Sequence, residues 1–139
     1  MPSSTSTANS ILDLIFLAAA WADVAQNDGS SPATTLDIAL HTAAPASSLQ
    51  TSNEATYGSY ARASVSRSGT GWSTASGGSN DNAALIQFPE AASGTNVVTH
   101  ISIGISGTII LSGALASPRT ITTGIQPQFA AGTLVNTVT

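Results

Sequence analysis

The chain has 139 residues, enough for one core, and only 7% of them are charged, against about 25% in ordinary soluble proteins. Ser and Thr together fill 39 of the 139 positions, Lys is absent, and the formal net charge is -4. Three Arg cannot neutralise the six to ten phosphates of a typical nucleic-acid contact set, and the basic faces of membrane-surface helices have no counterpart here. A hydrophobic content of 42% speaks against disorder, and the absence of Cys removes disulfides and thiolate metal sites. A surface of hydroxyls has little electrostatic defence against self-association, which points to association as a working property.

The first nine residues are small and polar and read as a mobile arm, 1–9. Ser10 to Gln26 carries the strong helix signal, with Ser10 and Asp13 resembling a capping box and Asn27-Asp28-Gly29 as the stop, so that an apolar helical segment spans 10–28. Its apolar residues, among them Leu14, Phe16, Leu17, Trp21 and Val24, point in nearly every direction at 100° per residue. A signal peptide would want a basic start, and the first 61 residues hold no Lys or Arg; a membrane span would want about 20 apolar residues without Asp13 and Asp23. Two readings stay open. Either the helix is covered in part by sister copies, making these five residues an oligomer interface, or it is buried inside its own fold.

After Gly29 the period becomes two. Thr34–His41 alternates Leu36, Ile38 and Leu40 against Asp37, Ala39 and His41. Strands are expected over Tyr60–Arg67, Ala83–Phe88, Val97–Ser106, Thr108–Leu115, Arg119–Thr123 and Gly132–Val138, with Ser117-Pro118 ending the fifth of these seven. The glycine-rich stretch from Ser68 reads as a flexible tip. The fold class is mainly β: an antiparallel β-sandwich or open barrel, jelly-roll-like, over 33–139, with one N-terminal α-helix.

No constellation for catalysis emerges. His41 precedes a loop and His100 lies within a strand, where hydrogen-bonded structural roles are commonest; Ile103-Gly104-Ile105-Ser106-Gly107 does not fit a nucleophile elbow. Ser79-Asn80-Asp81-Asn82 lacks the repeated carboxylates of a calcium loop and is explained by turn bonds, so neither metal nor cofactor is called for. Tyr57, Tyr60 and Trp72 stand on or beside loops, either as partner-contact aromatics or as caps on a core. Arg62, Arg67 and Arg119 are the only Lys or Arg side chains, so each should meet an acid or an interface.

Six segments in order carry a resemblance: Leu36 to Pro45, Tyr60-Ala61-Arg62, Asn82 to Pro89, Val98 to Gly104, Leu111 to Leu115 and Phe129 to Leu134. Over residues 34–138 the chain resembles a family of small tailed-bacteriophage virion proteins, described as tail-fibre-like or capsid-associated. The resemblance implies a virion location and a structural role without enzymatic activity. Size and the apolar helix then favour a capsid decoration (cement) protein. It would be a homo-oligomer, with a trimer favoured, bound to the major capsid protein and independent of nucleic acid and membrane. A tail, neck or fibre component that contacts the host is the alternative.

Overall fold

The computed structural model describes residues 3–27 and 29–138. Met1 and Pro2 of the expected arm, Asp28 of the expected helical segment and Thr139 lie outside the described residues. One helix, α1 (Thr5–Phe16), precedes eight strands: β1 (Thr35–His41), β2 (Ala63–Ser66), β3 (Ser79–Asp81), β4 (Ile86–Gln87), β5 (Thr95–Ile105), β6 (Thr108–Thr122), β7 (Gln128–Phe129) and β8 (Val135–Thr137). Four strands form a sheet in the order β2-β1-β5-β6, while β3 pairs with β8 and β4 with β7. The fold is mainly β, with antiparallel sheets that do not close into a barrel and one N-terminal helix. The chain packs as two units, one of residues 1–35, 66–86 and 129–139, the other of 36–65 and 87–128. Sequence order and packing therefore differ, because the helix shares its unit with a middle and a C-terminal segment of the β region.

In the first unit the helix starts earlier and stops sooner than its sequence pattern indicates. Ser4 is the N-cap, its hydroxyl accepting the Thr7 N–H at 3.1 Å, so Thr5–Asn9 are helical rather than part of an arm. Asp13 is no capping partner of Ser10; it accepts the Ala75 N–H at 2.8 Å. The end of the helix is capped from elsewhere in the chain. In a continuing helix the carbonyls of Leu14 and Ile15 would accept bonds four residues on. Here Arg67 takes both, at 2.6 and 2.5 Å, and also bonds Asn27 and Ala33 at 2.7 and 3.0 Å. A guanidinium at this end also suits the helix dipole. Ala18 turns left-handed at φ 55°, and Trp21 and Ala25 close a tight turn, so Ala18–Gln26 is not helical.

The short helix buries a single stripe, Ala8, Leu12 and Phe16, spaced four apart. Phe16 meets Trp72 edge-on with centroids 4.6 Å apart, and both are fully buried. On the adjoining face Asn9 accepts the Gly78 N–H at 2.7 Å, next to the Asp13–Ala75 bond. The glycine-rich segment is therefore no free tip but is tied to α1 at two points. Gly78 is required there: its φ is +82°, and a Cβ would lie 3.2 Å from the Val138 carbonyl. Asn82 clamps the C-terminal segment, donating to the carbonyls of Ala84 and Ala130 and accepting the Leu134 N–H, each at 2.8 Å. The oxygen-rich stretch thus serves backbone pairing, as its turn chemistry indicates.

In the second unit, β1 is flanked by β2 and β5 and buried on both faces: Leu36, Ile38 and Leu40 on one, Ala39 and His41 on the other. Ser106 and Gly107, at φ 50° and 81°, make the tight turn into β6. β6 continues through Ser117-Pro118, where an end is expected from sequence. The register explains this: His100 pairs with Ala114 and Val98 with Arg119, so Leu115–Pro118 bulge out opposite Thr99. Pro118 is tolerated because it sits in a bulge of an outer strand.

Replacing Arg67 by Met leaves the helix-end carbonyls without their charged donor and lowers stability by about 2–4 kcal/mol. Arg67→Lys recovers only part of the loss, since an ammonium cannot span the same acceptors. Urea unfolding of the three proteins checks the order.

Candidate functional site

The polar centre of the second unit is built on the β1–β5 register. Asp37 lies opposite Gly104, Ala39 opposite Ser102 and His41 opposite His100. Period-two alternation puts all six on one face of the sheet. Gln50 lies over Gly104, where a Cβ would come 2.7 Å from its side-chain carbon, and donates to the Asp37 carbonyl at 2.8 Å and to Ser102 Oγ at 3.3 Å. His41 Nδ1 donates to the Ser52 carbonyl at 2.9 Å, which leaves Nε2 to accept from Ser102 Oγ at 2.8 Å. Arg62 grips both Glu54 oxygens at 2.7 and 2.8 Å and reaches Gln50 Oε1 at 3.3 Å. The Tyr60 hydroxyl donates to Glu54 at 3.0 Å and accepts the Leu40 N–H at 3.1 Å.

Burial holds the His41 imidazole below its ordinary pKa, against the opposite pull of the Ser52 carbonyl and Glu54. Burial pushes Glu54 up, but its bonds to Arg62 and Tyr60 and the charge of Arg62 outweigh that and hold it low. Burial also raises the Tyr60 phenol. A His–Ser pair resembles the start of a nucleophilic triad, yet both side chains are 0% exposed and the third member is a backbone carbonyl. What this arrangement does chemically is bind the loop after β1 to the sheet. His100 is half-buried and bonds Thr99 at 2.8 Å.

Of the three aromatics read as loop contacts or as caps on a core, Trp72 and Tyr57 are core residues and Tyr60 is half-buried. Trp72 is fully buried against Phe16; Tyr57 is 3% exposed, donates to the Pro89 carbonyl at 3.1 Å and packs edge-on to the half-buried Tyr60 at 5.2 Å. Each follows a loop that folds inward because Asn, Ser or Asp side chains hold its backbone; Asn96, for instance, accepts both the Thr56 and Tyr57 N–H groups. Of the five expected interface residues, Phe16 is buried by its own chain, Leu14, Leu17 and Trp21 are half-buried, and Val24 is 65% exposed. Sequence reasoning missed Gln50 and Ser102. The available signal was Gly104, since a glycine within a strand of isoleucines marks close approach by another group.

The outer surface of this unit is dominated by β6. It is the last strand of its sheet, and on its open side the Ile109 N–H meets the Ser48 carbonyl while Leu49 bridges Thr108. The exposed large apolar residues of the unit flank it: Leu49 at Thr108, Val97 opposite Thr120, and Ile125, whose N–H bonds Thr122. Arg119, on β6, has no ion-pair partner among the described residues. Two of the three cations are thus anchored inside, one on an acid and one on carbonyls, and the third is at the surface.

A family model described as Podophage GP4 fiber I protein gp80 matches residues 2–137. The chain belongs to this family. It is a structural protein of the tailed-phage virion. A search of the curated proteins found no match. Among the described residues of this fibre-family chain, no helix is long and apolar enough to cross a membrane.

The polar centre sets a pH response. His41 is harder to protonate in the fold than in the unfolded chain, so its contribution is complete above about pH 6.5 and is lost as pH falls through its lowered value. Glu54 adds a second loss that begins below about pH 4.5 and grows as pH falls through its own lowered value. Urea midpoints measured at stepped pH should fall in these two windows. His41→Asn should be less stable at high pH and should lack the first step.

Proposed function

We propose that the chain is a fibre subunit of the podophage particle that acts by self-association and carries no catalytic activity, metal or cofactor. The observation that carries this reading is the match of a fibre-protein family over residues 2–137. The surface supports it: the chain is 7% charged, and the strand β6 presents an open edge beside exposed apolar residues. A trimer is the favoured assembly, since closed symmetry satisfies every copy alike. Leu14, Leu17, Trp21 and Val24 supply apolar surface for contact with sister copies or the adjoining virion protein. Nucleic acid and membrane are not partners in this reading.

Decoration of the capsid beside the major capsid protein is the second reading, favoured by the same apolar residues, which suit a clamp on a shell. An antibody against the chain, imaged with gold on intact particles, separates the two. Label on thin projections at the tail or neck is the expected result. Label spread over the shell, together with binding at fixed copy number to capsids lacking the protein, would establish decoration instead. In solution, Trp21→Asp is expected to reduce the oligomer observed by sedimentation while far-ultraviolet circular dichroism stays native.

A further inference from the structure

The polar centre of the second unit sets a nucleophile, a base and an amide side by side, away from water. Ser102, His41 and Gln50 are each 0% exposed. The Ser52 carbonyl accepts from His41 Nδ1 at 2.9 Å and so fixes the tautomer, leaving the lone pair of Nε2 facing Ser102 Oγ at 2.8 Å. The same Oγ lies 3.3 Å from Gln50 Nε2. A C–N bond of about 1.3 Å then puts it no more than about 4.6 Å from the carboxamide carbon. Gln50 Oε1 accepts from the Arg62 guanidinium at 3.3 Å, and both oxygens of Glu54 hold Arg62 in place. The amide is fixed on its other side by the bond from Nε2 to the Asp37 carbonyl and by the bare backbone of Gly104. No outside substrate reaches this Ser–His pair. The electrophile beside it is Gln50.

We propose that Ser102 and Gln50 are the two halves of an autocatalytic cross-link, in which Ser102 Oγ displaces ammonia from the Gln50 carboxamide and leaves an ester between β5 and the loop after β1. His41 Nε2 takes the hydroxyl proton as Oγ attacks the carboxamide carbon. The charge that gathers on Oε1 faces the Arg62 guanidinium, which stabilises it as an oxyanion donor does. Collapse of the tetrahedral intermediate breaks the C–N bond, and the departing nitrogen takes the proton back from His41. One O–H and one C–N bond break, one C–O and one N–H bond form, and no water, oxidant or further reactant is consumed. A turn of the carboxamide about its terminal torsion, which is broad in Gln, presents its face to Oγ. The shift that remains to reach attacking distance is roughly an ångström. The burial that denies the pair an outside substrate also keeps water from the ester. The reaction occurs once per chain, so it is the maturation of a structural protein and not turnover, and it serves a fibre subunit and a capsid clamp alike.

The test is a peptide map of the full chain. Trypsin cleaves it only after Arg, since Lys is absent, so Gln50 falls in the peptide ending at Arg62 and Ser102 in the one ending at Arg119. After the folded chain has stood at neutral pH, denaturation and digestion should give these two peptides joined, lighter than their sum by one ammonia. Hydroxylamine, which cleaves esters, should part them. Ser102→Ala should give the two peptides separate, and His41→Asn should slow the joining by roughly 10²–10⁴-fold, each with native far-ultraviolet circular dichroism. Separate peptides of full mass from the parent chain overturn the proposal without any variant. So does ammonia loss confined to one peptide, the mark of a cyclised Asn, or a joined species that resists hydroxylamine or forms equally in Ser102→Ala.

Discussion

The guanidinium of Arg67 is the central tie of the first unit, because it caps the end of the helix and joins it to the chain around Asn27 and Ala33. By taking the carbonyls of Leu14 and Ile15 it denies the next turn its acceptors, and the chain leaves the helix at Leu17. Everything else in the unit follows from a short helix. Phe16 comes to the last turn, over Trp72, and Asn9 and Asp13 stand one turn apart, facing the backbone of Gly78 and Ala75. The segment carrying those two residues is thereby fixed, and β3 within it can pair with β8. A helix running on to Gln26 would leave Arg67 without its acceptors and the turn at Trp21 unmade.

The second unit uses its one ion pair in a comparable way. Glu54 and Arg62 are only partly exposed, and Arg62 also reaches Gln50, which reaches Ser102 and the Asp37 carbonyl. Each group in the chain satisfies the next, and this is the condition under which a buried polar cluster stabilises a fold instead of weakening it. His41 is held between a carbonyl and a hydroxyl, and its burial keeps the imidazole below its ordinary pKa. Protonation would leave Ser102 facing a second donor, beside Gln50, where it now has an acceptor.

Much of this was legible in the residues. The alternation of Leu36, Ile38 and Leu40 marked β1, and the isoleucines marked β5 and their shared face. The helix boundaries were not legible, because an apolar run from Ile11 to Val24 has helical character throughout and the residue that ends it lies more than forty positions away. The inward turn of Trp72 and Tyr57 stayed undecided between a core cap and an exposed contact for a related reason: small polar loops carry no burial pattern, whereas here side-chain oxygens of Asn9, Asp13 and Asn96 hold them against the core. Pro118 misled because a proline ends most strands, and only the sheet order shows that β6 lies at an edge where a bulge can absorb it. Of the three Arg, each expected to meet an acid or an interface, Arg62 meets Glu54, while Arg67 is held on backbone carbonyls instead.

The scarcity of charge connects these features to the role on the particle. A chain with no Lys, three Arg, two of them engaged inside, and seven acids has few charges with which to keep sheet edges apart. Monomeric proteins with long outer strands generally place charges along them. Here β6 is fifteen residues long and carries one, beyond its bulge. Such an edge is a hazard for a protein meant to stay dispersed, and it is in keeping with the self-association proposed for this fibre-family subunit.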